Sequence, residues 1–171
     1  MGKEERAVSN LPSTIDGSRL APAGVIVGDD DEDTRLLREA ESEATAYLDS
    51  FDWCSGVLET YLGLGIGGIV GVFLCRIVPG APEVDEWLWV IEGDLPPLYM
   101  PTDDCPNPAA ALDAYIGAMN EWVRAVRDGR PLDDVPPVAV APTMEHAAML
   151  ESRLNYLDEE ILREYEADLA E

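Results

Sequence analysis

Ile69-Val70-Gly71-Val72-Phe73-Leu74-Cys75-Arg76-Ile77-Val78 and Glu86-Trp87-Leu88-Trp89-Val90-Ile91-Glu92 are the two stretches that decide the fold of this 171-residue chain. Both are rich in β-branched and aromatic residues, and both are punctuated by breakers: Pro79-Gly80 after the first, Gly93 and Pro96-Pro97 after the second. Each reads as a strand that is apolar on nearly both faces. A half-exposed strand would alternate, so these two belong in the centre of a sheet or under helices. The link between them, six to seven residues through Pro82, is too short for a crossover and suits an antiparallel pair.

Helical patterns lie on either side. From about Thr34, Leu36, Leu37, Ala40, Ala44, Tyr47, Leu48 and Phe51 recur at three- and four-residue spacing, which makes one apolar stripe. Asp33 stands where an N-cap would accept a bond from a free backbone N–H. A second short helix is predicted from Asp52 to Leu62, closed by Gly63. Beyond the strands, Asn107 caps a helix with Pro108 at its first position, where a missing N–H costs nothing. Leu112, Tyr115, Ile116, Met119, Trp122, Val123 and Val126 form its buried face, Arg124 and Arg127 sit near the negative end of the dipole, and Gly129 closes it. A proline-rich link with an extended piece at Val138-Ala139-Val140 leads to a last helix, capped by Thr143, with Leu150, Leu154, Leu157 and Ile161 on one face.

Helices, then strands, then helices argue against a βαβ repeat. The expected fold class is α+β: a small antiparallel sheet of two to four strands packed against about four helices. Its core would hold Leu48, Phe51, Trp53, Val72, Leu74, Trp89, Ile91, Ile116, Trp122, Leu150 and Leu154. Residues 1–33 read as a flexible acidic leader ending in Asp29-Asp30-Asp31-Glu32-Asp33, because a block of like charge resists compaction. Within it, Gly24-Val25-Ile26-Val27-Gly28 is the one patch able to add an edge strand. Residues 34–171 read as a single domain.

Thirty-five acids against eleven bases give a formal net charge of -24. Acids outnumber bases in every third of the chain, so the charge is not a tail on a neutral body. Such a field repels nucleic acid and anionic membranes and favours a basic protein as partner. It serves solubility in a salty cytoplasm equally well. The Met-Gly-Lys-Glu-Glu-Arg start carries no signal peptide, and the run Leu64–Val78 is too short and too glycine-rich to span a bilayer. Together these point to a cytoplasmic protein.

Catalytic chemistry finds little to work with. Cys54, Cys75 and Cys105 form no CxxC, and with His146 they lack the paired short spacings of a zinc site, so no metal and no cofactor are expected. A cysteine nucleophile would have only His146 as base, and the first turn of a helix disfavours imidazolium. Gly63-Leu64-Gly65-Ile66-Gly67-Gly68 contains GxGxxG, but with a helix before and a strand after, the reverse of the dinucleotide fingerprint. No catalytic residue is assigned.

One segment stands out: Trp87-Leu88-Trp89-Val90-Ile91-Glu92-Gly93-Asp94-Leu95-Pro96-Pro97-Leu98-Tyr99. A strand brings aromatic bulk to a Gly93-Asp94 turn stiffened by two prolines. Asp94 either bonds its own turn amides or faces a ligand. Trp87, Glu92, Asp94 and Tyr99 are the candidate binding residues, since aromatics beside acids suit a cation, while at least one of Trp87 and Trp89 belongs to the core. The order of Trp53-Cys54, the Trp89–Pro96 octapeptide, Tyr99, the Asn107-Pro108-Ala109 helix start and the Trp122 helix resembles an uncharacterised bacterial domain family with a Trp-Cys pair and a W-V-I-x-G-D-L-P signature. The likeness covers about residues 50–130. It implies a bacterial source and fold boundaries, and it carries no catalytic residue over. Three functions follow: an inhibitory, immunity-like binding module for a basic partner, a small enzyme or ligand-binding domain with its site at Gly93-Asp94-Leu95-Pro96, or a structural subunit of a larger assembly.

Overall fold

The two apolar runs form adjacent antiparallel strands, Val70–Pro79 and Trp87–Gly93, paired from Val70 with Gly93 to Arg76 with Trp87. In the computed structural model, which describes residues 11, 12, 15–22, 24 and 26–169, they are the third and fourth strands of a five-stranded antiparallel sheet. Its strands are β1 (Ala21–Pro22), β2 (Cys54–Ile66), β3 (Val70–Pro79), β4 (Trp87–Gly93) and β5 (Leu98–Pro101), and they lie side by side in chain order. The class is α+β. The chain divides into two compact units, Met1–Ala111, which holds the sheet, and Leu112–Glu171, which is helical.

The segment Asp52–Leu62, whose apolar spacing predicts a helix, is extended instead. Asp52 and Trp53 lie in a turn, and from Cys54 on the segment belongs to β2, a thirteen-residue strand paired with β3 from Cys54 opposite Pro79 to Ile66 opposite Val70. Val57, Thr60 and Tyr61 suit a pleated surface better than a helix, and β3 supplies partners for their backbone groups. Gly63 therefore ends no helix. With β2 added, and with β1 and β5 as short edges, the sheet has five strands rather than two to four, and three long helices rather than four accompany it. Ile66-Gly67-Gly68-Ile69 turns the chain between β2 and β3. Gly68 at φ 80° occupies the left-handed region that this turn requires.

Helix α1 (Asp31–Asp49) covers one face of the sheet. Its Leu37, Ala44 and Leu48 join Phe73, Cys75 and Ile77 of β3 and Leu88 and Val90 of β4 in one core cluster. The N-cap is Asp30, whose side chain accepts from the Asp33 amide at 2.8 Å, and not Asp33. The Asp33 carboxylate holds the Gly67 amide at 2.6 Å instead, which pins the helix start to the β2–β3 hairpin. The alternate residues Val72, Leu74, Trp87, Trp89 and Ile91 point to the opposite face and are buried as well. There the Trp89 indole N–H donates to the Cys105 carbonyl at 2.9 Å.

Part of the segment expected as a leader is described: residues 11, 12, 15–22, 24 and 26–33. Asp16 donates its amide to the Pro106 carbonyl, Ala21 and Pro22 pair with Leu62 and Tyr61, and Ile26 is completely buried in the α1 core. The edge strand is thus Ala21–Pro22, and not the Gly24–Gly28 patch, whose Val25 lies outside the described residues, as do residues 1–10 of the leader. Proline tolerates an edge because its missing N–H leaves no ladder bond unmade there.

Helix α2 (Pro108–Asp128) is capped by Asn107, whose side chain accepts from the Ala110 amide at 2.8 Å. The part of α2 in the second unit buries Leu112, Tyr115, Met119 and Trp122 at three- and four-residue spacing. Thr143 caps α3 (Met144–Tyr156) through the His146 amide, and Arg127 bridges to Glu151 at 2.7 Å between the two helices. After Tyr156 the last stripe loosens into a π turn (Leu157–Ile161) that still buries Leu157 and Ile161. Val138-Ala139-Val140 joins no strand. Among the described residues no helix is long and apolar enough to cross a membrane.

Candidate functional site

Strand alternation separates the four candidate residues. Side chains along β4 point to opposite faces in turn, so Trp87 lies on one side of the sheet and Glu92 on the other, the side of α1. Tyr99, opposite Val90 in the β4–β5 register, shares the face of Glu92. Asp94, one residue past β4, is exposed.

Trp87 is built into a closed network. Its ring stacks on Tyr61 with centroids 6.2 Å apart, and the Arg76 guanidinium stands 6.0 Å from its centroid. Arg76 is itself held by Glu59 at 2.7 Å and Glu86 at 2.5 Å, and the Tyr61 hydroxyl donates to Glu59 at 2.6 Å. The cation that Trp87 faces is therefore supplied by the chain.

Glu92 is 8 % exposed. Burial beneath α1 pushes its carboxyl up to about 7, the nearby Glu43 carboxylate adds to the rise, and the Gly93 backbone opposes it. Tyr47 of α1 is pushed up to about 12 by burial, with Tyr99 and Glu92 contributing. Glu92 and Tyr47 thus lie together between helix and sheet.

Tyr99 also closes an aromatic cluster whose other members, Tyr47, Phe51 and Trp53, are not among the four candidates. Phe51 stacks on Trp53 at 4.9 Å, Tyr99 meets Trp53 at 4.8 Å and Phe51 at 5.2 Å, and Tyr47 packs edge-on against Phe51 at 5.1 Å. Trp53 and Tyr99 open onto a cleft of about 280 Å³, walled below by Leu88 and Val84 and rimmed by Glu83 and Asp85 of the β3–β4 connection. Neither rim carboxylate is joined to an arginine in the ion pairs seen among the described residues. Two features of the chain carry this site: aromatics crowded at Tyr47, Phe51 and Trp53, and Glu83-Val84-Asp85-Glu86 placed between two buried strands.

No protein-family model, no curated protein and no solved structure matches this chain. Its function has to be read from its own geometry.

Cys54, Cys75 and Cys105 are free and buried, and burial pushes the Cys75 thiol up to about 12 and Cys54 upward, away from a reactive thiolate. The His146 ring is engaged through Nδ1 with the Ala141 carbonyl at 2.9 Å. Among the described residues no group of three His, Cys, Asp or Glu side chains is placed to hold a metal ion. The GxGxxG glycines run from β2 through a hairpin into β3 with no helix after them, so they offer phosphate no helix N-terminus.

Proposed function

We propose that the chain is a binding module for a basic protein partner, in an inhibitory, immunity-like role met in the cytoplasm. The observation that carries this reading is how the arginines are spent. Arg35 is paired with Glu32 and Glu39, Arg76 with Glu59 and Glu86, Arg124 with Glu121, Arg127 with Glu151 and Arg130 with Asp128. These cations are neutralised within the chain, and the many carboxylates left over in a chain at -24 face solvent without them. Such a surface accelerates encounter with a positive partner and repels a negative one.

The partner captured from lysate at low ionic strength is then expected to be a protein of high pI. Its association rate, measured by stopped flow, should fall at least tenfold between about 0.01 M and about 1 M salt, as the screening length shrinks from about 30 Å to about 3 Å. A rate unchanged over that range rejects the reading.

A further inference from the structure

We infer that the Trp53–Tyr99 cleft is the receptor for a single arginine side chain of the basic partner; the inference rests on the binding reading above and assigns it a specific site. The cleft is small. At about 280 Å³ it lies at the small end of the usual range for ligand pockets, about 300 Å³ and upward, and has room for an inserted side chain. Its walls are of two kinds. Trp53 and Tyr99, inclined at 56°, present aromatic surface, while Leu88 and Val84 give an apolar floor for an alkyl stem. Glu83 and Asp85 stand at the rim, where the charged head of an inserted side chain would come to rest.

Arginine suits these walls better than lysine does. Its planar guanidinium stacks on an aromatic face, is weakly hydrated, and can donate to two carboxylates at once, whereas an ammonium is a compact, strongly hydrated point charge. The contrast with Trp87 supports the assignment. On the other face of the sheet the chain places its own Arg76 beside Trp87, between Glu59 and Glu86. The Trp53 cleft gathers the same residue types, aromatic rings and two carboxylates along one lining, without an arginine among them. Trp53 is fixed in place by its own contacts, since its carbonyl accepts from the Gly80 amide at 2.7 Å and its ring is backed by Phe51.

The test uses the full chain and two acetylated, amidated pentapeptides, Lys-Lys-Arg-Lys-Lys and Lys-Lys-Lys-Lys-Lys. Binding is followed by isothermal titration calorimetry, a readout that does not depend on Trp53 and so serves the native chain and its variants alike. The arginine peptide is expected to bind at least five times more tightly than the lysine peptide. That preference should vanish in Trp53→Ala and in the double variant Glu83→Gln with Asp85→Asn, whose exposed positions leave the core intact. Equal affinity of the two peptides for the native chain overturns the arginine site while leaving the basic-partner reading in place. So does a preference that survives the double variant. Failure of both peptides to bind at low salt removes the binding reading and the cleft assignment together. Tetramethylammonium displacing the arginine peptide at a lower concentration than arginine amide does would overturn the side-chain assignment in favour of a small organic cation.

Discussion

Replacing Gly93 with alanine is expected to destabilise the sheet-bearing unit by about 4 kcal/mol, read as a large fall in the urea midpoint. Gly93 ends β4 opposite Val70, at φ 148°, a conformation that side chains rarely adopt. A Cβ there would run into the Ile69 carbonyl oxygen and lie 2.9 Å from the Val70 Cα. Both obstacles are backbone, so no rotamer change relieves them. The Ile69 carbonyl cannot swing aside without loss, because it accepts the Asp94 amide at 3.1 Å. Backbone strain costs roughly 1–3 kcal/mol and overpacking roughly as much again, which is most of the margin of an ordinary domain. Gly117 is the control. It lies exposed in α2, where a Cβ meets nothing within 4 Å, so Gly117→Ala should stabilise by roughly 0.5–1 kcal/mol. If both variants behave alike, the clash at Gly93 is not what the structure shows. The outcome also bears on the Trp89–Pro96 segment: its glycine is required by the close approach of β3, which is a reason of folding and not of ligand binding.

Much of the fold is legible in the residues, and the failures have identifiable causes. β3 and β4 declare themselves because their apolar character continues on both faces, and Asn107 and Thr143 cap α2 and α3 where their side chains predict. β2 does not declare itself. Val57, Leu58, Tyr61 and Leu62 stand at one- and four-residue intervals that mimic a helical stripe, and Gly63 mimics a helix stop. Only pairing with β3, a tertiary fact, decides the matter. The run Asp29–Asp33 offers several residues able to cap α1, and the choice of Asp30 depends on Asp33 being claimed by the Gly67 amide. β1 is two residues long and leaves no periodic signal.

For the site, strand parity in the sequence separates Trp87 from Glu92, once β4 is granted. The union of Trp53, Glu83, Asp85 and Tyr99 is different. They come from the end of α1, the β3–β4 connection and β5, and nothing local links them; the meander order of the sheet brings them together.

The widest pH effect should come from Glu92. Its carboxyl is raised from the ordinary 4.5 to about 7, by burial first and by Glu43 second. The folded chain therefore holds this proton more tightly than the unfolded chain does, and folding gains from it fully below about pH 4.5. As the pH rises towards 7 the unfolded state releases the proton first, so the contribution is lost across that window. At about 1.4 kcal/mol for each tenfold change in proton affinity, the loss amounts to roughly 3 kcal/mol. Glu92→Gln removes the titration and keeps the size of the side chain. The variant should match the native chain near pH 4 and exceed it by up to about 3 kcal/mol near pH 8, in paired urea melts that let the titration of the other carboxylates cancel. A difference that stays flat from pH 4 to pH 8 would show that the burial of Glu92 carries no such penalty. If the difference opens as expected, ionised Glu92 sets a negative charge beneath α1 beside Glu43, against Tyr47 and Tyr99. Tyr99 is also a wall of the Trp53 cleft, so Glu92 and the cleft share one packing neighbour.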